Sequence, residues 1–415
     1  MRVNPFTLKP MNINDGFMDW NQLYPKSYDK NEIDPYTRVR VILMNGTEFE
    51  SVWFSHQFSR HETCNDLRRE LAVVRRQEQQ QQKRIANLKP LNENLLEQTI
   101  GYEQVAVDLT AILAQCEKDA SVKSALDFAL LEDFDHLYRY ADLLEMEQGV
   151  MAEKLVGHYT EIMPGRPTIS EHRFPFDALP APVDFKTADI ATKLHVGIIT
   201  AAEQQTMNYY MNVGPFYSSD LGRRLYQEIA LIEEQHVTQY GGLLDVKCTW
   251  LESWVMHEYT EAYLYWSVMQ DETDPYIKKV WEQCFDMEVS HLHKAAQQLA
   301  QRENKQWQQV VGNGDFPQPL KFKSNIDYVR GVMNMVEFSA EKEIYKPVNM
   351  LPKDYEFFKF QNKMNHDPGT VPSHQVIDMY IRQKGEDYRW ETAPNPIPDL
   401  QNRKADNTRV GRSAQ

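Results

Sequence analysis

The sequence predicts an all-α fold: a helical bundle with an extra helical hairpin, a small N-terminal β-hairpin and a helical C-terminal extension. Three observations predict it. First, an acidic residue follows a Glu by thirty positions three times over, and each time a His comes three residues later: Glu103, Asp133, His136; Glu203, Glu233, His236; Glu258, Glu288, His291. Positions i and i+3 share one face of a helix. Thirty residues of helix–turn–helix bring the chain back to its starting height, because about 13 helical residues rise roughly 20 Å. Second, the copies at 103–136 and 203–236 are offset by 100 at every marked position, which also maps Tyr140 onto Tyr240; this is an internal repeat of a helical hairpin. Third, residues 156–186 carry Pro164, Pro167, Pro175, Pro180 and Pro182. They forbid a continuous helix and leave an extended segment long enough to cross a bundle from end to end.

Taken in order, residues 1–60 read as an irregular arm ending in a β-hairpin. Asn45-Gly46 suits a two-residue turn, and β-branched or aromatic residues flank it over 38–54. A polar helix follows over about 61–88. The bundle proper spans 61–303, and its hairpins turn near Lys118–Ala120, Ser218–Asp220 and Asp274-Pro275. Thr187 is the expected N-cap of the second hairpin, Gly241-Gly242 stop its second helix, and Thr249 with Glu252 forms a capping box for the third. Residues 304–391 read as a helical wrap, with a helix from Ser324 through Tyr345 and short helices near 352–365 and 373–384. Residues 392–415, rich in Pro, Asn, Asp and Arg, read as a disordered tail.

Composition narrows the function. The 415 residues carry a formal charge of −15 with no basic stripe, which argues against nucleic acid as a partner. No apolar run approaches the roughly 18–20 residues of a membrane span, and the N-terminus lacks the apolar core of a signal peptide, so a cytoplasmic protein is expected. Cys64, Cys116, Cys248 and Cys284 form no C-x-x-C pair, as expected of reduced thiols and not of a rubredoxin-type iron site.

Convergent carboxylates and imidazoles in a helical core are costly unless a cation joins them, and such a donor set without thiolate suits iron or manganese. The triplicated pattern resembles the ferritin-like di-iron/di-manganese carboxylate superfamily, which includes rubrerythrins, ribonucleotide reductase small subunits and manganese catalases; the resemblance spans roughly residues 90–300. It implies two Fe or two Mn ions, with Fe favoured. The ligands would be one Glu from each of two helices and a Glu-x-x-His pair from each of the other two. The sequence departs from the family in having Asp133 where Glu is usual, with Glu132 beside it as the alternative, and in having three half-sites where two suffice. The long crossover favours joining the first two: Glu103, Asp133, His136, Glu203, Glu233 and His236. The alternative half-site is Glu258, Glu288 and His291, where Glu261 competes with Glu258. Tyr140 and Tyr240 stand one turn beyond the ligand histidines, as packing or as hydrogen-bonding partners of the ligands.

The resemblance implies an oxidoreductase acting with O2 or peroxide, fed by an external electron donor and expected to be a homodimer. Manganese-catalase-like peroxide dismutation and a non-enzymatic iron-binding or scaffold role are the alternatives.

Overall fold

The computed structural model describes residues 3–166 and 168–389. Among the described residues eight long helices follow one another: α1 (Pro35–His61) packs on α2 (Asn65–Ala86), α3 (Leu95–Cys116) on α4 (Ala120–Gln148) and α7 (Trp250–Asp271) on α8 (Pro275–Glu303) as hairpins, and α5 (Ile190–Val213) precedes α6 (Asp220–Gly242). Shorter elements follow: α9 (Ile326–Val332), an antiparallel ribbon of β1 (Phe338–Glu341) and β2 (Ile344–Pro347), α10 (Glu356–Met364) and α11 (Pro372–Lys384). No helix among the described residues is long and apolar enough to cross a membrane.

The helix ends follow local chemistry. Asn94 with Glu97 and Thr249 with Glu252 close capping boxes on α3 and α7. Asp119, Ser219 and Asp274 cap α4, α6 and α8 through side-chain oxygens. These bonds satisfy first-turn N–H groups that have no partner inside the helix. Thr187 does not cap α5. Its N–H is taken by Asp184 in a preceding turn, and Asp189 accepts from Ala191 N at 2.9 Å.

The chain divides into two compact units. The first comprises Met1–Glu93, Pro182–Gln205 and Leu244–Phe322, the second Asn94–Ala181, Thr206–Leu243 and Lys323–Gln415. Residues 61–303 are therefore shared between two units. In the first, α1 packs on α2 and α7, and α8 packs on α7 and α2, which closes a four-helix bundle. In the second, α4 lies against α3 and α6, while α9 covers α3 and α4 and α11 covers α4 and α6.

The expected β-hairpin over 38–54 is instead the middle of α1. Val39, Val41, Ile42, Leu43 and Met44 are all buried, and a stretch that is apolar all round is what a helix at the centre of a bundle requires. Asn45-Gly46 serves packing rather than turning. Asn45 donates to the Gln205 side-chain oxygen, whose amide in turn donates to Ile42 O at 3.0 Å. A Cβ on Gly46 would lie 2.5 Å from Gln205 Nε2, so only glycine admits that side chain against the helix.

The predicted helix from Ser324 through Tyr345 stops at Val332. The chain then enters the ribbon because the guanidinium of Arg166, within the same unit, binds the carbonyls of Met335 (2.9 Å) and Phe338 (2.7 Å). A continuing helix would have kept those carbonyls for itself. The short helices expected near 352–365 and 373–384 correspond to α10 and α11. The tail at 392–415 lies outside the described residues.

Arg389 fastens the end of the second unit. It is buried and pairs with Asp142 at 2.9 Å, Glu153 at 2.7 Å and Glu145 at 3.0 Å. Removing one partner of a buried charge cluster leaves the others uncompensated. Arg389→Met, which keeps most of the volume, is expected to destabilise this unit by about 3–5 kcal/mol, read as an earlier unfolding transition in denaturant. An unchanged midpoint would show that the cluster contributes nothing to stability.

Candidate metal centre

The second unit gathers ligating groups from three helices. Glu103 comes from the middle of α3, Asp133 and His136 from α4, and Glu233 and His236 from α6. All five are at most 1 % exposed. Helix periodicity explains why each Glu-x-x-His pair points one way, since residues three apart fall only about 60° short of a full turn and so share one face. Two groups of donor atoms result, each with every atom within 4.8 Å of the others: Glu103, His136 and Glu233, and Asp133, Glu233 and His236. Glu233 belongs to both. Glu203 is buried on α5, in the part of that helix that belongs to the first unit. Glu258, Glu288 and His291 also lie in the first unit.

Adjacent acids, Glu132 and Asp133, do different work. Glu132 accepts from Arg173 Nη1 and from His236 Nε2, the latter at 2.6 Å, and Arg166 Nε stands 3.5 Å away. Burial alone would raise its carboxyl, but Arg173 and the His236 hydrogen bond outweigh it and bring the group down to about 2. Asp133 has no guanidinium among the groups paired with it. Neither of its oxygens accepts a hydrogen bond, and burial, only partly offset by His236, holds its carboxyl above the usual range. Of the two, Asp133 is the acid that joins the ligand group.

The hydrogen bond to Glu132 also fixes His236. A carboxylate held ionised only accepts, so Nε2 carries the proton. Nδ1 then faces Asp133 Oδ1 at 3.1 Å and Glu233 Oε2 at 3.4 Å. A lone pair directed at two carboxylates is repulsive unless a proton or a metal ion lies between them. A histidine whose remote nitrogen donates to a carboxylate is the usual posture of a metal ligand. On the other side His136 Nδ1 lies 3.1 Å from Glu233 Oε1, while its Nε2 has no hydrogen-bond partner. Burial alone would raise the Glu233 carboxyl, but the His136 hydrogen bond and the two nearby imidazoles outweigh it and hold the group well below the usual carboxylate range. Buried polar atoms left without partners are rare, and here they converge. The donor set fits a metal ion.

Aromatic hydroxyls complete the surroundings. Tyr210 donates to Glu103 Oε1 at 2.5 Å. Tyr140 is buried, its hydroxyl without a hydrogen-bond partner, and its ring packs on Tyr210 and Tyr226 at 5.5 and 5.0 Å. Tyr240 lies with its ring centre 6.4 Å from that of His236. Tyr210 and Tyr226 also line a surface cavity of 550 Å³ with Met211, Ala230 and Leu231. Sequence reasoning missed Arg166, Arg173 and Tyr210. The two arginines carry no spacing signal, because they sit in the proline-rich crossover. Tyr210 follows Glu203 by seven residues, two helical turns, which was a readable same-face signal.

Comparison with protein-family models, curated proteins and solved structures finds no match.

The contrast between the two acids gives a paired test. Asp133→Asn removes a buried charge without stranding a partner, so the metal-free protein should melt no lower than wild type while metal retention falls. Glu132→Gln leaves two guanidiniums uncompensated and is expected to cost about 3–5 kcal/mol of stability. Calorimetry with metal analysis on both variants decides it. The reverse ranking would mean that Glu132 is the ligand.

Gly165 offers a second test. A Cβ there would lie 2.2 Å from Leu131 O, so Gly165→Ala is expected to push the crossover off α4 and reproduce the Glu132→Gln instability. A melting temperature equal to wild type would disprove that coupling.

Proposed function

We propose that the second unit holds a dinuclear transition-metal centre and uses it for oxidation chemistry with O2 or peroxide. The observation that carries this reading is the double membership of Glu233. Two cation positions share it, with Glu103 and His136 completing one and Asp133 and His236 completing the other. The repeat in the sequence nominates Glu203 as a further donor. A carboxylate between two mixed carboxylate–imidazole positions is the arrangement used by the ferritin-like carboxylate proteins that the sequence resembles. The donor set lacks thiolate and suits iron or manganese, with iron favoured.

When bound, such a metal pair supplies the electron-transfer steps that O2 or peroxide chemistry requires. The chain's own residues set the conditions. Glu132, clamped by Arg173, keeps the proton on His236 Nε2 and so turns Nδ1 toward Asp133 and Glu233. Tyr210 holds one oxygen of Glu103 and forms the floor between the ligand cluster and the 550 Å³ cavity. The aromatic wall of Tyr140, Tyr210 and Tyr226 excludes water from that side. Tyr140, with its unpartnered hydroxyl, is the group positioned to give or take a hydrogen atom. The cavity's mixed wall, with Asp220, Arg223 and Arg224 beside Met211 and Leu231, suits a small polar organic substrate, and electrons for an O2 reaction would come from a separate donor.

The test is anaerobic loading with Fe(II), followed by the optical spectrum and oxygen uptake on exposure to air with a reductant. Wild type is expected to hold about two ions in this unit and to consume oxygen. Glu233→Ala, which removes the shared ligand, should lose both ions and the uptake. Full metal retention by Glu233→Ala would overturn the proposal. Rapid peroxide decay without reductant would instead point to dismutation at the same residues.

A further inference from the structure

The first unit contains a second buried cluster of ligating groups, independent of the first. Each helix of its bundle contributes: Glu48 from α1, Glu78 and Gln81 from α2, Glu258 and Glu261 from α7, and Glu288 and His291 from α8. All seven are at most 2 % exposed. The N-terminal hairpin, once seen to be helical, repeats the spacing of the others. Glu78 follows Glu48 by thirty residues, and three positions later comes Gln81, where the other three hairpins have His. The chain thus carries the thirty-residue spacing four times.

The geometry parallels the second unit. Glu78, Glu258, Glu288 and His291 bring donor atoms within 4.8 Å of one another, and so do Glu48, Glu78 and Glu261; Glu78 belongs to both groups. His291 is posed like His236. Its Nε2 lies 2.8 Å from Gln77 Oε1, and its Nδ1 faces Glu78 at 3.0 Å and Glu288 at 3.4 Å.

Neighbouring donors aim the carboxylates inward. Gln81 Nε2 donates to Glu48 Oε1 at 3.0 Å and Glu288 Oε1 at 2.6 Å. Ser51 donates to Glu261 Oε2 at 3.1 Å, and Trp254 to Glu258 Oε1. The oxygens not so engaged, Glu48 Oε2, Glu258 Oε2 and Glu261 Oε1, accept no hydrogen bond although fully buried. Five carboxylates against one imidazole in a closed bundle core must be neutralised by protons or by cations, and donor atoms gathered within 4.8 Å of one another suit cations. An access path exists within the same unit: a cavity of about 250 Å³, walled by Phe54, Phe185, Trp250 and Met256, reaches Glu261. A metal site requires such a path as well as its ligands.

We infer that the first unit holds a second metal site of two cation positions bridged by Glu78, and that the two positions are unequal. One has His291 with three carboxylates. The other is built of carboxylate oxygen alone, because Gln81 stands in place of the imidazole and spends its amide on orienting Glu48 and Glu288. Oxygen-only surroundings favour harder cations, so the second position selects manganese over the iron that suits the imidazole-containing positions.

The test is Mn(II) titration of the metal-free full-length chain, followed by electron paramagnetic resonance of free Mn(II), elemental analysis and the melting temperature. Wild type is expected to bind about four ions. Glu78→Gln should lose about two of them and the melting-temperature rise that accompanies them. The metal-free variant should melt no lower than wild type, because a buried charge has been removed without changing its shape. Glu261→Gln touches only the oxygen-only position and should lose about one ion; it carries the test if Glu78→Gln does not fold. Gln81→His should tighten binding and shift preference toward Fe(II).

Glu233→Gln separates this inference from the function proposed above. If it abolishes all binding while Glu78→Gln binds as wild type does, the second site does not exist and the first stands. If Glu78→Gln loses ions and Glu233→Gln loses none, the inference stands and the other centre fails.

Discussion

The constraint on which both cores depend is the cost of burying a carboxylate. An ionised acid in a helical core needs a partner of opposite charge or a proton, and this chain buries acids on every long hairpin. In the second unit the solution is divided by residue. Glu132 receives a guanidinium, and its neighbour Asp133 receives none. One residue of helix turns a side chain by about 100°, so consecutive acids on α4 meet different surroundings. One becomes a structural anchor, and the other stays unmatched beside Glu233 and His236.

That division is made by the crossover. Its prolines keep it from winding into a helix, so its backbone can lie against α4, where Arg166 N donates to Leu131 O at 2.8 Å. Gly165 permits the approach. From there Arg166 and Arg173 reach Glu132 and stack over the ring of Phe128 at 4.0 and 4.7 Å. Burial in a low-dielectric site makes the arginine–carboxylate contact stronger than it would be at the surface. The same contact orients His236. A segment that looks like a mere connection is thus what separates a candidate ligand acid from a structural one.

Repetition with one substitution accounts for the difference between the two clusters. Both share a carboxylate between two donor groups, and in both a histidine presents Nδ1 to acids while Nε2 is held by a side-chain oxygen. Gln81 breaks the pattern. An amide both donates and accepts but is a poorer metal ligand than imidazole, and here its N–H groups are spent on two carboxylates. The consequence is a cluster richer in acid and poorer in nitrogen than its counterpart.

The sequence by itself determined the long helices of residues 95–303, the capping box of Thr249 with Glu252 and the faces that carry the candidate ligands, because capping and the i, i+3 relation are local and need only one helix to express them. It also marked Glu103, Asp133, His136, Glu233 and His236 as residues sharing helix faces, and the structure brings these five together. What it hid was whatever depends on a neighbour distant in sequence. The run at 38–54 has the composition of a strand pair, and only burial on all sides within the first unit makes it helix α1. With α1 concealed, Glu48, Glu78 and Gln81 were not legible as a half-site, and the third hairpin had no visible partner. The choice between Glu132 and Asp133 was equally beyond reach, because it rests on two arginines more than thirty residues away along the chain. Tertiary structure decided these points for one physical reason: the charge and packing that a buried side chain meets are supplied by other segments, and spacing along a single helix carries no record of them.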